Sequence, residues 1–152
     1  MYKTKYVLII LILISVNGFT KAEKQSTQIL SERLSEHIRN RIEAAGSPPR
    51  LKVGEEQIYA SIMLPIFYER RIYRAAWIYE KGPSPQVNSL IKAISKADHE
   101  GLTPYDYHLQ KIENILNEVN QNIQKKIPVN LRRLVDLDLL LTDAFLIYGA
   151  HL

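Results

Sequence analysis

The chain has 152 residues, 46% hydrophobic and 24% charged, which fits one ordinary globular domain. Twenty basic and 16 acidic residues give a formal charge of +4, and there is no cysteine. That excludes thiol catalysis, thiolate metal sites, thiol redox work and lipoprotein anchoring.

The first 22 residues read as a signal peptide. Lys3 and Lys5 precede the unbroken apolar run Val7–Ile14, which is short of the roughly 20 residues a spanning helix needs. Cleavage is expected after Ala22, with Gly18 as the other site; left uncleaved, the segment would be a membrane anchor and the chain's only membrane contact. The protein is therefore expected to be exported and periplasmic. Removing this segment takes Lys3, Lys5 and Lys21 and no acid, so the mature charge is about +1. The sequence pI near 9.2 then says little about partners, and a nucleic-acid reading fails.

Residues 23–152 read as a single all-α domain of about five helices, because apolar positions recur at three and four. The first helix is expected over Thr27–Ala45, with Leu30, Leu34, Ile38 and Ile42 on one face and Ile29 beside them. Ser26 would cap it and Gly46 would end it. Gly54–Tyr73 reads as an interrupted helix broken at Pro65, with Trp77-Ile78-Tyr79 briefly extended and Lys81-Gly82-Pro83 a turn. Ser84 and Pro85 open the next helix, whose stripe is Val87, Leu90, Ile91, Ile94 and Ala97, and Gly101 ends it. A helix near Leu109–Gln124 buries Ile112, Ile115, Leu116 and Val119. The last helix, Asn130–Leu152, is apolar almost all round and wants burial on most sides. Its abrupt end in apolar residues reads as a domain incomplete at the C-terminus.

Chemistry-bearing motifs are few. Ser89 and Lys92 match Ser-x-x-Lys, but no Ser-Asp-Asn or Lys-Thr-Gly completes that site, so a wet helix face is expected. The four histidines lack the i, i+4 spacing of a helical zinc site, and His99 reads as a capping contact. Asp136, Asp138 and Asp143 lie among apolar residues and need partners, for which Arg132 and Arg133 stand one turn before Asp136. A structural polar network is the expectation; Glu69 or Asp143 acting as general acid or base is the enzymatic alternative. Phe67, Tyr68, Arg71, Tyr73, Arg74 and Trp77 form the candidate glycan or partner surface, since aromatics with arginines can line a groove. Against this stands the reading of the rings as core and the arginines as paired with acids. No cofactor motif is present, so none is expected.

Taken in order, Phe67-Tyr68, Tyr73, Trp77, Gly101-Leu102, Pro104, Asp106-Tyr107-His108-Leu109 and Leu139–Tyr148 resemble the N-terminal scaffold region of large periplasmic L,D-transpeptidases. The resemblance spans roughly Gln57–Leu152. It implies a helical scaffold packed around a catalytic domain that cross-links peptidoglycan stem peptides through a cysteine thioester and a histidine base. Its partners would be that C-terminal catalytic domain, missing from this sequence, and peptidoglycan. Without cysteine this chain carries no catalytic residue of that family, so it reads as an inert scaffold in cell-wall biogenesis. The alternative is a stand-alone peptidoglycan-binding or adaptor module.

Overall fold

A computed structural model describes residues 25–79 and 82–152. The predicted signal segment lies outside them. The described residues are predominantly helical, as expected, with two very short antiparallel strand pairs.

Helix α1 covers residues 25–43, so Ser26 stands inside it rather than at its cap. Leu34, Ile38 and Ile42 are buried as their four-residue spacing requires, while Ile29 is exposed. Gly46, at φ +79°, takes the left-handed position beyond the helix.

The expected helix from Gly54 is absent. In its place β1 (Lys52–Val53) pairs with β2 (Glu56–Gln57) as a hairpin. Gly54 at φ +62° starts the two-residue turn, a conformation costly for residues with a Cβ. Beyond it, the N–H groups of Tyr59 and Ala60 are taken by the Asp143 carboxylate, 3.0 and 2.7 Å away. A tertiary acceptor thus replaces the helical ladder that periodicity suggested. Helix α2 is Met63–Arg70 and holds Pro65 in its first turn, where the missing N–H has no intrahelical partner to lose.

Ile72 and Tyr73 follow with φ of 55° and 57°. Consecutive left-handed residues with side chains are unfavourable, by about 1–2 kcal/mol each. They turn the chain sharply, and the Tyr73 N–H bonds back to the Tyr68 carbonyl at 2.8 Å. β3 (Ile78–Tyr79) then pairs with β4 (Gly82–Pro83), so Gly82-Pro83 is strand rather than turn, and Lys81 of the expected turn lies outside the described residues. Helix α3 (Pro85–Ile94) buries Val87, Leu90 and Ile94, with Ser84 at its N-cap. Two 3-10 turns, Ala97–Glu100 and Pro104–Tyr107, lead to α4 (Leu109–Gln124), whose inward residues are the four expected.

Helix α5 (Leu131–His151) is the axis of the fold. Asn130 caps it by accepting from the Arg132 N–H at 2.9 Å. Every residue from Leu134 to Ala144 is buried, with α2, α3, α4 and β1 packed against the helix. The cover expected from a missing domain is supplied over this stretch by the chain itself. Phe145 and Leu152 remain exposed. No helix among the described residues is long and apolar enough to cross a membrane.

Candidate functional site

An all-round apolar helix can host polar groups only where buried partners satisfy them. α5 hosts Asp136, Asp138, Thr142 and Asp143, and no buried side-chain nitrogen or oxygen among the described residues lacks a partner. Each aspartate holds a different piece of chain.

Asp138 is fully buried. Its Oδ1 accepts from the Ala76 N–H at 2.9 Å, and its Oδ2 from the N–H groups of Trp77 and Ile78 at 2.8 and 3.1 Å. The Tyr68 hydroxyl completes the set, 2.6 Å from Oδ1. The direction of the surrounding hydrogen bonds follows from donor chemistry. Trp77 Nε1–H can only donate, and it donates to Thr142 Oγ1 at 3.0 Å. The Thr142 hydroxyl then donates to Tyr68 Oη at 2.8 Å, and Tyr68 donates to the carboxylate. Burial pushes the Asp138 pKa up, against the downward pull of these four donors, and leaves it raised. Burial, with the nearby Asp138 charge, raises that of Tyr68 well above its ordinary value.

Asp143 is equally buried and accepts from Tyr59 and Ala60. Its Oδ2 also lies 2.7 Å from His108 Nε2, while His108 Nδ1 lies 3.1 Å from Glu56 Oε2. Tyr59 stacks on the imidazole with centroids 5.5 Å apart. His108 adopts φ +58° just before α4. Burial opposes its protonation, but the bonds and charges of Asp143 and Glu56 outweigh burial, and its pKa is raised.

Asp136 pairs with Arg41 of α1 at 2.9 Å, and the same guanidinium donates to the Lys52 carbonyl at 2.6 Å. The expected partners Arg132 and Arg133 do not serve. Arg133 bonds Glu118 in the middle of α4, which packs against α5.

The six candidate surface residues separate. Tyr68 is fully buried and cannot present a surface; its ring is core and its hydroxyl belongs to the Asp138 network. Trp77 is half-buried, edge-on to Phe145. Phe67 lies under Arg71 at 5.4 Å, and Tyr73 under Arg39 at 5.6 Å. Arg71 bonds the carbonyls of Arg74 and Ala75 rather than an acid. Arg71 and Arg74 rim a groove of about 240 Å³ floored by Leu30, Leu34, Ala75 and Ile78.

Of the catalytic alternatives, Glu69 is exposed on α2, Ser89 and Lys92 are exposed on α3, and Asp143 is sealed from solvent. His99 is exposed, 4.0 Å from Asp98, and Gly101 forms the left-handed cap beside it. Among the described residues no group of three or more His, Asp and Glu could hold a metal ion. Sequence reasoning assigned no site role to His108, Thr142 or Arg41. Each acts across a long chain separation, and no local spacing marks it.

A family model described as "Scaffold domain" matches residues 64–152. The chain belongs to the scaffold-domain family. Neither the curated proteins nor the solved structures provide a match. The family points to a structural role, in keeping with polar groups that bind the chain to itself. Scaffold-domain residues hold every partner of Asp138; those of Asp136, and part of those of Asp143, lie before residue 64.

Proposed function

We propose that the chain is the scaffold portion of an exported, periplasmic L,D-transpeptidase-like protein that takes part in peptidoglycan cross-linking, and that it is catalytically inert by itself. The observation that supports an inert scaffold is the commitment of all three α5 aspartates to the chain's own segments, with Asp138 and Asp143 fully buried. A carboxylate so engaged has no path to a substrate. The link to transpeptidases rests on the order of Phe67-Tyr68, Tyr73, Trp77, Asp106-Tyr107-His108-Leu109 and the α5 sequence. In this reading a cysteine-dependent catalytic domain is the partner, and peptidoglycan is its substrate.

The test is twofold. Coding sequence past codon 152, in any frame, should carry a Ser-His-Gly-Cys type motif. The purified chain should neither cross-link stem peptides nor sediment with sacculi. A second reading, a peptidoglycan-binding module, is favoured by one observation: the exposed Arg71 and Arg74 at the rim of the apolar groove. Sedimentation with sacculi that is lost in the Arg71→Ala/Arg74→Ala variant would put that reading first.

A further inference from the structure

Among the described residues, the side chain bonded to the tip of the β1–β2 hairpin is that of His108. The hairpin's base is pinned independently: Arg41 donates to the Lys52 carbonyl, the Ile58 N–H bonds the Leu51 carbonyl at 3.0 Å, and Leu51 and Ile58 are buried. At the tip, Glu56 Oε2 meets His108 Nδ1. The imidazole is 2% exposed and has a carboxylate oxygen at each nitrogen, Glu56 on one side and Asp143 on the other. A neutral imidazole carries one N–H, so it can donate to only one of them; its other lone pair would face an oxygen lone pair. Only the imidazolium satisfies both.

We propose that His108 is a protonation-dependent clasp. As an imidazolium it ties the hairpin tip to α5; as a neutral ring it keeps Asp143 and lets go of Glu56, opening the polar pocket beneath. The asymmetry follows from exposure. The Asp143 side chain is 0% exposed and held by two further N–H donors, whereas Glu56 is 38% exposed and can turn to water. Gly54, at φ +62°, lies in the turn that would bend. The pocket, about 100 Å³, is lined by Glu56, Tyr105, His108, Gln110, Lys111 and Asn114.

Every neighbouring element contributes a charged or titratable group. Glu56 comes from the hairpin, Tyr59 from the turn after it, Tyr105 from the second 3-10 turn and Asp143 from α5. Lys111, in the first turn of α4, is the one cation in the pocket lining and opposes the imidazolium. Burial opposes it as well, and the bonds and charges of Asp143 and Glu56 hold the His108 pKa raised. The clasp therefore closes on the acid side of the His108 midpoint and opens on the alkaline side.

The test is nitrogen NMR of the imidazole in the full chain across the His108 titration, with amide exchange of Glu55 and Glu56 corrected for its intrinsic pH dependence. Both ring nitrogens should be protonated below the midpoint. Above it, tip exchange should quicken at least about tenfold while Ile58, bonded to the Leu51 carbonyl, stays protected. Glu56→Gln should lower the midpoint and abolish the step in tip exchange. A ring neutral throughout, a midpoint indifferent to Glu56→Gln, or tip exchange equal on both sides of the titration would each overturn the proposal.

Discussion

Asp138 and Asp143 sit five residues apart on one helix, and both are fully buried. Asp138 is met by three backbone N–H groups and the hydroxyl of a fully buried tyrosine. Asp143 is met by two N–H groups and a histidine that passes the interaction on to the partly exposed Glu56. The first lies wholly within residues 64–152; the second ties that unit to the hairpin and turn preceding it. An aspartate thus locks a unit or couples another element to it according to its donors. Donors that do not titrate near neutrality make a fixed joint, and a histidine makes one that answers to pH.

The sharpest way to break the comparison is Asp138→Asn. One amide oxygen cannot accept four donors, and the new NH₂ would point at N–H groups. We expect a loss of about 4 kcal/mol, because several buried donors lose their acceptor together. A loss under about 1 kcal/mol by urea denaturation would show that the 76–78 segment is held by packing instead. Tyr68→Phe removes one donor and leaves the three N–H groups satisfied. It should cost roughly 1.5 kcal/mol, with Thr142 repairing part of the loss.

Periodicity in the sequence revealed what depends on neighbours in the chain. The apolar faces of α1, α3 and α4, the axial character of α5 and a structural network around its aspartates were all readable. What could not be read is decided by groups far away in sequence. Ile58 and Ile62 have helical spacing, but Tyr59 and Ala60 bond to a residue more than eighty positions on, and Ile62 is exposed. Tyr68 looked like a surface aromatic because neither Asp138 nor Thr142 is near it in sequence. Nothing near Arg41 in sequence marks it as a partner of Asp136, and only tertiary packing brings the two together.

A smaller effect than either variant should appear as a pH dependence confined to the second joint. The His108 pKa is raised in the fold, so its contribution is fully present below its ordinary value, about 6.5. It is lost as pH rises through the folded value. Thermal melts across this range should show falling stability, and Glu56→Gln should flatten the slope. The same melts on Tyr68→Phe should keep the parent's slope at a lower Tm. Equal slopes in all three would remove the distinction between the fixed and the titrating joint.

The third aspartate sets the lower end of the scale. Asp136 and Arg41 are 10% and 31% exposed, so water reaches part of the pair and screens it. Helix α1 is also held by Leu34, Ile38 and Ile42, each worth about 1.5–3 kcal/mol of burial, which exceeds what a partly exposed ion pair supplies. Arg41→Gln should therefore cost no more than about 1 kcal/mol, since glutamine can keep one of the two bonds. It should also leave amide protection in α1 intact. If protection of α1 collapsed while α4 and α5 stayed closed, the ion pair rather than the apolar face would be what docks α1. Asp136 would then join Asp143 as a joint between residues 64–152 and the chain before them.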